Sequence, residues 1–227
     1  MMVYAARRIW KSVLVAVVTL GALTMSVAGQ PLDSGVVRLA MVTHGGGLTG
    51  RCFSTQFLTL LGYESTIRVD PSLAHVDLDS DALFDYPLAI ITGEGQFSLS
   101  ASERSNMRRY VQAGGTLLIS SGCSNALWAN AMREELAMVF PAADMERLDL
   151  DHEVFSIVFD VADLVTTQGG QGEVWGLHVE GRLAVVFSSH GLNDTASAGG
   201  ACCCCGGNEI RQAKFINANL VAYALAR

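Results

Sequence analysis

One stretch limits what this chain can fold into more than any other. It is LFDYPLAIITGEGQFSLSASERSNMRRYVQAGGTLLISSGC, from Leu83 to Cys123. Leu88 to Thr92 is a continuous apolar run that ends at Gly93, the pattern of a strand buried on both faces in a parallel sheet. Ser100 and Glu103 have capping-box spacing, each able to satisfy an orphan backbone N–H at a helix start. Met107, Tyr110 and Val111 then share one helical face. Arg108 and Arg109 fall late in the helix, where positive charge suits its dipole. Gly114-Gly115 ends the helix, since glycine accepts the left-handed conformation past the last turn. Thr116 to Ser120 is a second apolar run. Two buried strands joined by one helix make a βαβ unit.

The rest of the chain extends that unit. Val36 to Thr43 reads as a first strand running into His44-Gly45-Gly46-Gly47. Cys52 to Leu61 reads as a helix with Phe53, Phe57, Leu60 and Leu61 on one side and Gly62 as its stop. Ser65 to Val69 is predicted as a strand broken by Asp70-Pro71. Asn125 to Phe140 is a helix ended by Pro141. His152 to Asp160 and Glu173 to Ser189 look extended, with Glu180-Gly181 as a hairpin turn in the second. Asn193 to Gly207 is a Gly/Ala/Cys-rich loop, and Ile210 to Ala226 closes the chain as a helix with Ala213, Ile216, Leu220, Tyr223 and Ala224 on its buried side. The expected fold is a three-layer α/β sandwich around a mostly parallel sheet, with a C-terminal hairpin and closing helix.

Composition narrows the classes of function. Half of the 227 residues are apolar and 16% are charged, enough for a sizeable core. Residues 1–30 divide from 31–227, which read as one α/β domain. Arg7, Arg8 and Lys11 precede a nearly uncharged run from Val13, and Ser26-Val27-Ala28-Gly29 offers small residues for cleavage, the layout of a secretory signal. The alternative is an uncleaved anchor, although Val13 to Ala28 falls short of the ~20 residues a spanning helix needs. Arg7-Arg8-Ile9-Trp10 also loosely resembles a twin-arginine export signal. The expected location is therefore the periplasm or cell envelope. Without residues 1–30 the chain keeps 12 Lys and Arg against 22 Asp and Glu. That acidic balance, with no basic stripe, argues against nucleic acid as a partner.

Open α/β sheets bind ligands beyond the carboxyl ends of their strands. Glycine-rich segments follow several expected strands here: His44 to Gly47, Gly93-Glu94-Gly95, Ser121-Gly122-Cys123 and His190-Gly191. They are expected to meet at one rim.

These residues resemble the bacterial domain-of-unknown-function family 4159. The resemblance rests on LFDYPLAIITGEGQFSLSASERSNMRRYVQAGGTLLI, on LDLDHEVFS, on the VEGRLAVVFS hairpin and on INANLVAYAL. It implies a flavodoxin-like sandwich similar to class I glutamine amidotransferases, and a place in the bacterial envelope, alone or attached to membrane-anchored proteins. The family carries no established activity. It has acidic residues after the second strand of the opening unit, where this chain has Ser120-Ser121-Gly122-Cys123-Ser124, so no role for an acidic pair carries over.

Three readings of function follow. The first is an exported binding or assembly module with envelope or membrane proteins as partners and a degenerate amidotransferase-like crevice. In it, the backbone N–H groups of His44, Gly45, Gly46 and Gly95 offer a weak anion cradle. The second is a cysteine-dependent hydrolase or amidase. Cys123 would be the nucleophile at a strand-turn-helix, where a helix N-terminus favours thiolate, with His190 or His44 as base and Glu94 as acid. The third is a thiol redox or metal protein centred on Cys202, Cys203, Cys204 and Cys205, with zinc or copper(I) as the soft metal and Cys123 or His190 completing its shell. An oxidising compartment would instead favour structural disulfides to Cys52 and Cys123. His152 is expected to hold its turn by bonding to backbone.

Overall fold

The structure is a computed structural model that describes residues 35–45, 48–49 (backbone only), 52–199 and 207–227. The expectations for residues 1–30, for Gly46 and for Cys202 to Cys205 fall outside the described residues. Among the described residues no helix is long and apolar enough to cross a membrane.

The opening unit forms as its sequence dictates. Strand β4 (Leu88–Glu94) is buried along all but its last residue, and β5 (Thr116–Ser121) along its whole length. Between them runs α2 (Ala101–Gln112), with both halves of the capping box made: Ser100 Oγ accepts from Glu103 N, and Glu103 Oε2 accepts from Ser100 N. The two strands pair in parallel, Leu88 with Thr116 through Gly93 with Ser121.

Around them lie β1 (Val37–Thr43), the short β2 (Leu48–Thr49), α1 (Gln56–Glu64), β3 (Val69–Asp77), α3 (Ala126–Val139), β6 (Met145–Arg147), β7 (Trp175–Val179), β8 (Arg182–Ser188) and α4 (Ala213–Leu225). The sheet order is β3-β1-β4-β5-β8-β7-β6, and β2 pairs antiparallel with the end of β4. From β3 to β8 every pairing is parallel; β7 runs against both of its neighbours. Alternate strand residues feed two cores. Leu39, Met41, Leu88, Ile90, Leu118 and Val186 pack with Phe57, Leu58 and Leu61 of α1 and with α4. Ala40, Val42, Ala89, Ile91, Ile119 and Phe187 pack with α2 and α3. A helix layer on each face of a mostly parallel sheet is the three-layer sandwich expected.

Three local expectations need correcting. The strand after α1 does not stop at Asp70-Pro71 but starts at Val69 and runs through them to Asp77. The pairing register with β1 shifts between Val37 and Leu39, so Pro71 lies in an irregularity on an edge strand, where a missing N–H costs no ladder bond. Helix α1 begins at Gln56 rather than Cys52 and continues through Gly62. The segment from His152 is not extended. It forms a short 3-10 turn at Glu153–Phe155 and then lies over α4. There Asn219 Oδ1 accepts from Val158 N (3.2 Å) and Phe159 N (2.8 Å), and Asn219 Nδ2 donates to Phe159 O (2.8 Å). That cover leaves α4 buried without a break from Ile216 to Tyr223, well beyond the one face its pattern suggests.

The hairpin turn is as expected. Glu180 and Gly181 both have positive φ, 53° and 78°, the requirement of a type I′ turn. Arg182, just after it, donates to Thr116 Oγ1 and to the carbonyls of Val111 and Gly115, tying the hairpin to the end of α2. Glutamate in the left-handed region is strained by roughly 1 kcal/mol. Glu180→Asn is expected to stabilise the protein by about 0.5–1 kcal/mol, because asparagine tolerates that conformation. Urea unfolding checks it; an unchanged or lower midpoint would count against it.

Candidate functional site

The rim is built from the carboxyl ends of β4, β5 and β8. The parallel register aligns Thr92, Ser120 and Ser188 in one row. All three side chains fall on the α1/α4 face, being in phase with Ile90, Leu118 and Val186. This hydroxyl row looks like a ligand cradle, but the chain's own next segment fills it. Ser120 Oγ accepts from Leu192 N (2.7 Å) and donates to Asn193 Oδ1, while Asn193 Nδ2 donates to Thr92 Oγ1 (3.1 Å). Ser188 Oγ donates to Glu173 O and accepts from Gly191 N. Asn193 is only 1% exposed. Sequence reasoning missed this network. Its trace is a repeated phrase, in which a hydroxyl stands two residues past an apolar one at Ile90/Thr92, Leu118/Ser120 and Val186/Ser188.

The glycine segment after β1 is also occupied from within. Gly45 N donates to Glu103 Oε1 (2.6 Å), so the carboxylate that caps α2 also holds this loop. The anion at Gly45 is the protein's own. His44 is 2% exposed, edge-on to Phe97 and Trp128. Trp128 Nε1 donates to His44 Nε2 (3.3 Å), so the neutral ring carries its proton on Nδ1. Burial lowers the pKa of His44; the Val42 backbone and the Glu103 carboxylate act in the other direction. Gly95 N, a second expected donor, is taken by Asn125 Oδ1 (3.2 Å), which also caps α3 by accepting from Trp128 N.

The rim does bring Glu94 and Cys123 together, with Glu94 Oε1 3.2 Å from Cys123 Sγ. Cys123 and Cys52 are each disulfide-bonded. An oxidised sulfur has no S–H to donate, so Glu94 and Cys123 touch without a hydrogen bond. Cys123 as it stands holds no thiolate, and a carboxylate at that distance would oppose one after reduction. Cys123 and Ser124 also have positive φ, 50° and 53°, two strained residues in succession. Their surroundings hold them there. Ser124 Oγ donates to His190 O (2.5 Å), a Cβ on Gly191 would meet Ser121 O at 2.6 Å, and one on Gly207 would meet the Cys123 Cα at 2.8 Å. His190 thus reaches the rim through its carbonyl. Its Nδ1 is buried with no hydrogen-bond partner among the described residues, and no hydrogen bond joins its ring to Cys123 or Glu94.

Beside this lies an acidic pair that the sequence did not announce. Glu209 Oε2 accepts from Thr195 N (2.9 Å) and Thr195 Oγ1 (3.0 Å). Burial raises the pKa of Glu209, as does the Asp194 charge, against the pull of the Thr195 bonds. Among the described residues no group of three or more His, Cys, Asp or Glu is arranged to hold a metal ion. His178 and Glu180 lie at the far end of β7, away from the rim, and His178 Nδ1 pairs with Glu146 Oε1 (2.9 Å).

Fold and rim together define a class: a three-layer α/β sandwich whose strand-end crevice is filled largely by its own polar side chains. Within that class the chain matches the family described as "Domain of unknown function (DUF4159)" over residues 38–225, and it belongs to that family. No curated protein gives a significant match.

Proposed function

We propose that this is an exported, non-enzymatic binding or assembly module of the cell envelope, its crevice a closed relic of a ligand site. One observation carries the reading: the groups a catalytic rim would need are already engaged. Gly45 N–H is on Glu103, Gly95 N–H is on Asn125, Asn193 fills the hydroxyl row, and Cys123 is oxidised. Export is supported by the basic and apolar layout of residues 1–30 and by disulfide-bonded Cys52 and Cys123, since disulfides persist in oxidising compartments.

Three measurements test it. Iodoacetamide applied without reductant is expected to leave Cys123 unmodified, and any ester or amide hydrolysis by the purified protein is expected to be unchanged in Cys123→Ser. Hydrolysis abolished by that substitution would establish a cysteine hydrolase instead. Photo-crosslinkers at Gln96 and Leu127, exposed residues near the rim, are expected to give a discrete envelope-protein adduct in intact cells. Adducts only from Tyr63, at the other end of the strands, would overturn the rim as the binding face.

A further inference from the structure

We propose that His152 is a proton-operated clasp: the neutral ring holds the turn Glu153–Phe155 closed over α4, and the protonated ring lets it open. The ring is the turn's N-cap. His152 Nδ1 accepts from Val154 N (3.1 Å), while His152 O accepts from Phe155 N (2.9 Å). An imidazole nitrogen can accept only while it carries no proton. Protonation at Nδ1 would set two N–H donors face to face. Val154 is fully buried, so its amide would lose its partner out of reach of water.

The neighbours add to the effect. The His152 ring lies 6.3 Å from that of His178 on β7 and 5.9 Å from that of Tyr223 on α4. His178 Nδ1 is bonded to Glu146 on β6, so acid that protonates both histidines puts two cations side by side. The charged and titratable groups around the ring are His178 from β7, Glu146 from β6, Asp151 and Glu153 from its own turn, and Tyr223 from α4. Arg227 covers Tyr223 and pairs with Glu153. Burial and then His178 lower the pKa of His152, while Glu153, Asp151 and Glu146 oppose them, and the net direction is down. The sign follows. An unfolded histidine titrates near ~6.5. The clasp therefore contributes fully above that pH, and its contribution is lost as pH falls from there through the lower folded value.

The turn is the start of the cover over α4. Val154 and Phe155 enter the core beside Ile216 and Leu220, and Val158 and Phe159 follow on Asn219. Opening it would uncover one side of α4 and leave the parallel sheet intact.

Amide hydrogen exchange by NMR, expressed as protection factors at pH 7.5 and pH 5, tests the clasp. The protection of Val154 is expected to fall about tenfold or more on acidification, with Ile90 in the central sheet unchanged. In His152→Asn, whose amide oxygen can cap without titrating, Val154 is expected to stay protected at both pH values. Equal protection of Val154 at both pH values in the native sequence would overturn the proposal. So would a parallel fall at Ile90, or a pH step that survives in the asparagine variant.

Discussion

Replacing Arg104 by alanine is expected to destabilise the domain and lower its Tm by about 9 °C. Glu135 of α3 is the reason. Its side chain is 4% exposed, and its oxygens accept from Arg104 Nε (2.6 Å), Arg104 Nη2 (2.8 Å), Leu99 N (3.0 Å) and Ser98 Oγ (3.2 Å). Burial pushes this carboxyl upward, but the Arg104 and Leu99 bonds outweigh it, and its pKa lies below the ordinary value. Without Arg104 the burial remains and the largest compensation is gone. A cost at the low end for a broken buried pair fits, because Arg104 itself is partly exposed. A carboxyl with a depressed folded pKa contributes stability at neutral pH that is lost as pH falls through the unfolded and then the folded value. The gap between native and variant should therefore narrow from pH 7 to pH 4. Urea unfolding at both pH values measures it; a variant as stable as the native chain at pH 7 would refute the account.

Asn219→Ala is expected to cost about 3 kcal/mol, by a different route. The side chain is fully buried and satisfies two backbone N–H groups and one carbonyl of the segment over α4. Alanine would leave those groups without partners and a void beside them. The companion change Asn217→Ala should cost less, about 1 kcal/mol, because Asn217 makes one such bond, to Leu192 O, and its Oδ1 has no partner among the described residues. Denaturant unfolding ranks the two, and limited proteolysis localises the damage. Cleavage within 156–166 under native conditions is expected for Asn219→Ala. Equal costs for both variants would show that the three-bond bracket is not what holds this segment.

Much of the frame was legible because its causes are local. Ser100 and Glu103 stand three residues apart and cap the same turn, Glu180-Gly181 supplies both positive φ values of one hairpin, and Leu88 to Thr92 is apolar along its length because both faces are covered. Local rules failed where distant contacts overrule them. Asp70-Pro71 reads as a strand end, but an edge strand with a shifted register accommodates it. The residues after His152 lack a helical period because they answer to Asn219, some 60 positions away, and not to one another.

The candidate site divides in the same way. That the segments after β4, β5 and β8 share a rim follows from sequence, since parallel strands carry their carboxyl ends to one side; Glu94 meeting Cys123 is that inference realised. What those groups are free to do was decided only in three dimensions. Gly45 looks like an open anion donor until Glu103, 58 residues on, takes its N–H. Ser120 looks like a strand end until Asn193, 73 residues on, accepts its proton. Sequence by itself determined most of the strands, the caps and the side of the sheet to which the segments after β4, β5 and β8 go, because backbone propensity and apolar period act over a few residues. Only the tertiary structure decided that the crevice is filled, because a hydrogen-bonding group is satisfied by whatever partner the folded chain brings within 3 Å or so, at any separation along it.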